Sequence, residues 1–165
     1  MTSTITRLAL GGLLALSAGM TAAAVNVSYV HPEKFYDLPF SDSEREELLG
    51  QLTAHFQELG KALPPGQDLR IEVTDFDPAG RIIPNARSGR DLRVLKGGAD
   101  WPRLDLRYAI EQNGQVIKSG EAKLSDMNYQ QNTIGYNNNE PLFYEKRMID
   151  TWFDKNIAPV ERRRR

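Results

Sequence analysis

Three carboxylates carry the clearest chemical potential in this chain: Asp75 and Asp77, in Val73-Thr74-Asp75-Phe76-Asp77-Pro78-Ala79-Gly80-Arg81, and Asp126, after Leu124-Ser125. Two carboxylates in one concave site could split general acid and general base work between them and drive hydrolysis. Asp75 to Gly80 also begins like a calcium loop, with oxygens at the first and third positions and glycine at the sixth. The fifth position is Ala79 and the twelfth is Ala86, where a bidentate Glu is required. No metal site is therefore expected. The plainer reading is a strand-ending turn, in which Asp77 caps backbone amides, Gly80 takes positive φ and Arg81 follows. Asp75, Asp77 and Arg81 are kept as a possible functional turn. In the alternation Asp75 continues the face of Leu69, Ile71 and Val73, and it is expected either at the solvated strand end or paired with a nearby arginine.

Nucleophilic and metal chemistry find no motif. The chain has no cysteine, its two histidines are His31 and His55, and no Gly-x-Ser-x-Gly elbow or phosphate-binding glycine loop occurs. His55 reads as a packed or solvated helix residue. No catalytic residue and no cofactor are assigned. A second constellation is built for contact instead: Trp101, Tyr129 and Tyr136 with Asn137 and Asn138 inside an amide-rich run. Flat π faces beside adaptable hydrogen-bonding groups suit a neutral polar partner, either a glycan or a peptide segment.

The elements that must position these residues follow from periodicity. Leu69, Ile71 and Val73 alternate with Arg70, Glu72 and Thr74, the mark of a half-buried strand. Val25, Val27 and Tyr29 give a short first strand. Asp91–Lys96 and Leu104–Ile110 give two more, and Asn113-Gly114 turns the last of these back into Val116–Leu124. Gly120 marks a bulge or a close-packing point. Ser43-Glu44-Arg45-Glu46 has the form of a capping box before the stripe of Leu48, Leu49, Leu52, Phe56, Leu59 and Leu63, which Pro64-Pro65-Gly66 stops. Pro141 opens a second helix with Leu142, Met148, Ile149, Trp152, Phe153 and Ile157 on its apolar face. Arg81 to Gly89 and Tyr129 to Glu140 read as loops.

The expected fold is α+β, a single domain with an about five-stranded, mostly antiparallel sheet and two helices in the order β-α-β-β-β-β-α. With the first and central strands parallel, the turns Pro64–Gly66, Gly97–Pro102 and Ser125–Glu140 are expected at one end of the sheet.

A leader precedes the domain. Arg7, the apolar run from Leu8 to Ala18 and Ala22-Ala23-Ala24 match a cleaved signal peptide over residues 1–24. That run of about 11 residues is short of the ~20 that span a bilayer. Residues 25–160 form the domain and 161–165 a basic tail, Arg162 to Arg165. With 165 residues, 26% charged and 40% hydrophobic, and a net charge of −1, the chain is globular and lacks the basic excess of a nucleic-acid binder. Without disulfides the fold rests on an apolar core. A periplasmic location follows, with an envelope protein or glycan as partner, no nucleic acid, and weak membrane-surface contact through the tail.

The mature chain resembles a family of small exported proteobacterial proteins catalogued as a domain of unknown function, DUF3016. The likeness is carried by Val27-Ser28-Tyr29, Val73-Thr74-Asp75 with Ala79-Gly80-Arg81, Leu106-Arg107-Tyr108, Leu124-Ser125-Asp126-x-Asn128-Tyr129, and Tyr144-Glu145-Lys146-x-Met148 with Trp152-Phe153. It implies export and one small domain, and brings no catalytic residue or ligand. The leading reading is a non-enzymatic binding or envelope-assembly module. The alternative is a periplasmic hydrolase using Asp75, Asp77 or Asp126, and the two readings divide on whether two of these carboxylates share one concave pocket.

Overall fold

The computed structural model describes residues 23–83, 92–131 and 140–158. In chain order these form β1 (Val25–Tyr29), a 3-10 turn (Pro32–Lys34), α1 (Asp42–Gly60), β2 (Gln67–Asp77), β3 (Arg81–Ile83), β4 (Leu92–Val94), β5 (Arg103–Gln112), β6 (Gln115–Ser125) and α2 (Phe143–Asn156). The main sheet has four strands in the order β1-β2-β5-β6, and β3 pairs only with β4. β1 runs parallel to β2 because α1 carries the chain back to the starting edge; β2, β5 and β6 are antiparallel. The architecture is α+β in a single domain, as expected, with the strand count divided between the two sheets. The segment read as a loop after Gly80 starts as β3, and the strand expected over Asp91–Lys96 is β4 of that separate hairpin.

One face of the sheet is covered by helix. Leu69, Ile71 and Val73 of β2 and Leu104, Leu106 and Ile110 of β5 pack against Leu49, Leu52 and Phe56 of α1 and against Ile149, Trp152 and Phe153 of α2. Each large side chain so buried contributes about 1.5–3 kcal/mol. Trp152 meets the Tyr108 ring edge-on at 5.5 Å. A Cβ on Gly120 would stand 3.0–3.1 Å from that same tyrosine ring, so Gly120 is the close-packing point that lets Tyr108 lie flat across β6. The other face is polar, with Arg107 joining Glu72 at 2.8 Å and Glu121 at 3.0 Å, and Lys123 joining Asp105 at 3.0 Å.

Local chemistry explains most boundaries. Asn113 (φ 53°) and Gly114 (φ 76°) form the two-residue hairpin turn between β5 and β6. α1 begins earlier than the capping-box pattern implies. Ser41 is the N-cap, its hydroxyl lies 2.9 Å from that of Ser43, and neither reciprocal bond of the box forms. Arg45 secures this first turn through the Pro39 carbonyl at 3.2 Å. The helix also ends before the prolines, at Gly60, where a Cβ would collide with Val25 of β1. Leu142 caps α2 at φ 56°. That left-handed backbone costs about 1–2 kcal/mol, offset by burial of its side chain in the core.

The turns sort differently from expectation. Pro64–Gly66 leads into the start of β2, beside the Asn113–Gly114 hairpin, since Gln67 pairs with Gln112. Gly97–Pro102 feeds β5 where it pairs with the finish of β2, Arg103 facing Asp77. A parallel crossover returns the chain to the starting end, so Pro64–Gly66 and Gly97–Pro102 lie at opposite ends. The first residues after β6 share the latter end: Ser125 pairs with Arg103, and the Asp126 amide bonds the Pro102 carbonyl.

Candidate functional site

The site is made by a slip in strand register. β2 pairs Val73 with Leu106 and then Asp75 with Asp105, leaving Thr74 as an extra residue. The bulge reverses the alternation. Phe76, not Asp75, continues the buried face of Leu69, Ile71 and Val73, and Asp75 is exposed. Asp75 and Asp77 therefore project from the same, helix-free face.

Beyond them the chain turns through Pro78, Ala79 and Gly80, and that turn is clamped from four directions. Glu145 of α2 accepts the Ala79 N–H through Oε1 at 2.6 Å. Arg93 of β4 donates to the carbonyls of Pro78 at 3.3 Å and Ala79 at 3.2 Å. The Gly80 N–H bonds the Asp100 carbonyl at 2.8 Å. Asp37 accepts the Ile82 N–H at 3.1 Å and the Arg93 guanidinium at 3.1 Å. Gly80 sits at φ 87°, and a Cβ there would stand 2.7 Å from the Val94 carbonyl oxygen. The expectation of positive φ at Gly80 holds. Asp77, expected to cap backbone amides, instead pairs with Arg103 at 3.4 Å, because the register places the two directly opposite.

Asp75, Asp77 and Arg81 line one cleft of about 350 Å3, together with Tyr36, Asp100 and Arg103. Burial raises the Asp77 carboxyl above its ordinary range; Arg103 opposes the shift, and Asp37 and Asp75 add to it. Asp100 goes the other way. Burial pulls it upward, but the Lys96 amide and the Tyr129 hydroxyl, at 2.8 and 2.9 Å, hold its carboxyl below the usual range. Trp101 is half-buried beside the cleft, with the Arg103 guanidinium 5.3 Å over its ring. The two sequence constellations thus meet at Arg103.

Tyr129 has another place. It is 2% exposed, packs edge-on to Tyr144 at 4.8 Å, and its hydroxyl is pushed up to about 12 by burial and by donation to Asp100. Its ring offers no face for stacking; it holds the wall on which Asp100 stands. Tyr136, Asn137 and Asn138 lie outside the described residues, as do Arg162 to Arg165. Asp126 accepts the Asn128 amide at 3.1 Å and lines a separate cleft beside Arg147 and Trp152. His55 Nε2 lies 2.7 Å from Asp150 Oδ1 and pins α1 to α2.

Sequence reasoning passed over Arg103, Asp100, Tyr36, Arg93 and Glu145. Arg103 had one signal, its place just before the alternating run of β5, but its pairing with Asp77 depends on a register that no local pattern fixes. Another cleft, of about 300 Å3, is bounded by Leu48, Leu95, Leu142 and Phe143. Its polar groups, buried Glu145 and half-buried Arg93, are already engaged with the clamped turn, so it supports the site and does not compete with it.

No curated protein and no solved structure matches the chain. The family model described as Protein of unknown function (DUF3016) matches residues 23–155, and the chain belongs to that family.

Proposed function

We propose that the protein is an exported, non-enzymatic binding module of the cell envelope whose ligand seats in the cleft of Asp75, Asp77, Arg81 and Arg103, with Trp101 on its flank. One observation carries the reading: a rigidly clamped turn aims opposite charges into a single concave space beside an aromatic ring. Fixed donors and acceptors of this kind select a polar ligand without a reactive group of the chain. The leader over residues 1–24 supports export. Cleavage after Ala24 removes its amide contact to Asp68 and the bond its carbonyl accepts from the Leu69 amide, and leaves β1 starting at its first paired residue, Val25. The mature protein in the cell is then expected to have the mass of a chain starting at Val25; an uncleaved cytoplasmic chain overturns the envelope reading.

The binding claim is tested by passing a soluble envelope extract over immobilised mature protein and identifying by mass spectrometry the partner retained, small molecule or peptide. Asp75→Asn and Trp101→Ala are each expected to lose the partner with a nearly unchanged melting temperature. Capture that survives both substitutions assigns the partner to another surface.

A hydrolase is the second reading, and it is favoured by Asp75 and Asp77 sharing that cleft. Asp77, raised by burial, would serve as the acid and exposed Asp75 as the base. The Asp77–Arg103 pair weighs against it, because a guanidinium facing the acid favours its charged form. Turnover of a glycoside or peptide substrate that Asp77→Asn abolishes would establish the hydrolase in place of the binding module.

A further inference from the structure

The geometry points to a free α-amino acid with an apolar side chain as the ligand of this cleft, an inference that rests on the binding reading above. Asp77 and Arg103 neutralise one another. Asp75 and Arg81 line the same space without forming an ion pair with each other or with any other described residue. Asp75 spends Oδ1 on the neighbouring Phe76 amide at 3.0 Å, which leaves its second oxygen for a cation. Arg81 is exposed and offers the paired donors that a carboxylate accepts side by side. An unbridged carboxylate and guanidinium in one cleft match a ligand that brings an ammonium and a carboxylate on a single carbon. A neutral glycan would leave both charges without a counter-ion.

The wall of the cleft supplies the rest of the ligand's description. Tyr36 lines the charged cleft and also a neighbouring one of about 360 Å3, whose other walls include Phe35, Leu38, Phe40 and Ile82. Tyr36 is 71% exposed and Phe40 86%, an apolar ledge placed beside fixed charges. A head group held between Asp75 and Arg81 directs its side chain past Tyr36 onto that ledge. An apolar or aromatic side chain gains from this contact.

Calorimetric titration of the mature protein with L-phenylalanine, phenethylamine and 3-phenylpropionate tests the assignment. L-Phenylalanine is expected to bind at least about tenfold more tightly than either analogue, since each lacks one charge-assisted contact, and tenfold corresponds to about 1.4 kcal/mol. Asp75→Asn should weaken L-phenylalanine and phenethylamine and leave 3-phenylpropionate unchanged. Arg81→Gln should weaken L-phenylalanine and 3-phenylpropionate and leave phenethylamine unchanged. Phe40→Ala should weaken all three. No binding of L-phenylalanine at millimolar concentration, or binding blind to which charge is removed, overturns the amino-acid assignment. If the envelope capture above still depends on Asp75 and Trp101 in that event, the binding module stands and only its ligand class falls. If capture fails too, both readings fall.

Discussion

The two ends of the sheet are held in different ways. Where β2 begins, each turn is closed by its own residues: the Gln67 amide reaches back to Pro64 at 3.2 Å around Gly66, and Asn113-Gly114 closes the hairpin. Where β2 finishes, the Asp77–Arg81 turn is held by Asp37, Arg93, Asp100 and Glu145, drawn from four separate stretches of chain. A locally closed turn keeps its shape whatever surrounds it. A turn clamped from four stretches acquires its shape only in the assembled domain, and then holds it rigidly. The charged cleft lies at this second end, where the proposed recognition would draw on a preorganised turn.

The largest expected effect is in the layer on which both ends depend. Trp152 is 7% exposed and braces α2 on β5 through Tyr108. Trp152→Ala should cost about 3–5 kcal/mol in urea denaturation. A loss under about 1 kcal/mol would mean that α2 is not docked on the sheet, and that Glu145 cannot clamp the turn at Ala79.

The next pair sets one end directly against the other. Gly66 and Gly80 share a positive φ, 80° and 87°, but a Cβ at Gly66 meets nothing within 4 Å, while one at Gly80 meets the Val94 carbonyl oxygen at 2.7 Å. Gly66→Ala should cost only its backbone strain, about 1–2 kcal/mol. Gly80→Ala adds a clash with backbone and should cost about 2–5 kcal/mol. Equal losses at the two positions would break the contrast between a local turn and a clamped one.

The same contrast decides what could be read from the sequence. The alternation of Leu69, Ile71 and Val73, the stripe of α1 and the Asn113–Gly114 turn are written in neighbouring residues, and the structure has them as read, save that α1 ends at Gly60 and leaves Leu63 beyond it. The bulge at Thr74 is not, because it exists only as a mismatch between Val73–Leu106 and Asp75–Asp105. Extending the pattern without it put Asp75 on the core face. The β3–β4 hairpin, with three paired positions and its own register, gave too short a signal to separate from the main sheet. Asp75, Asp77 and Arg81 were legible as a turn because Pro78 and Gly80 mark one. Arg103, Asp100 and Tyr36 were not, since they reach the cleft from distant stretches.

The smallest expected effect, that of Glu145→Gln, reads the clamp through pH. Glu145 is 3% exposed, and burial raises its carboxyl above the ordinary range, an effect the Ala79 N–H only partly offsets. A raised folded-state value means that the folded protein holds this proton more tightly than the unfolded chain does. The stabilisation is then complete below the unfolded-state value and is lost as pH rises through the folded one. Glu145→Gln retains an oxygen to accept the Ala79 N–H and has no charge to bury. Its urea midpoint should match the wild type in acid and exceed it near neutral pH, with a flatter slope between. Glu145→Ala should instead lose stability at every pH, since it leaves the Ala79 amide buried without its acceptor, at a cost of about 1–3 kcal/mol. A Gln variant that is weaker than wild type at neutral pH would show that the charge itself holds the turn, through Arg93 nearby. The clamp would then be ionic, and salt should loosen the Asp77–Arg81 end while leaving the Asn113–Gly114 end untouched.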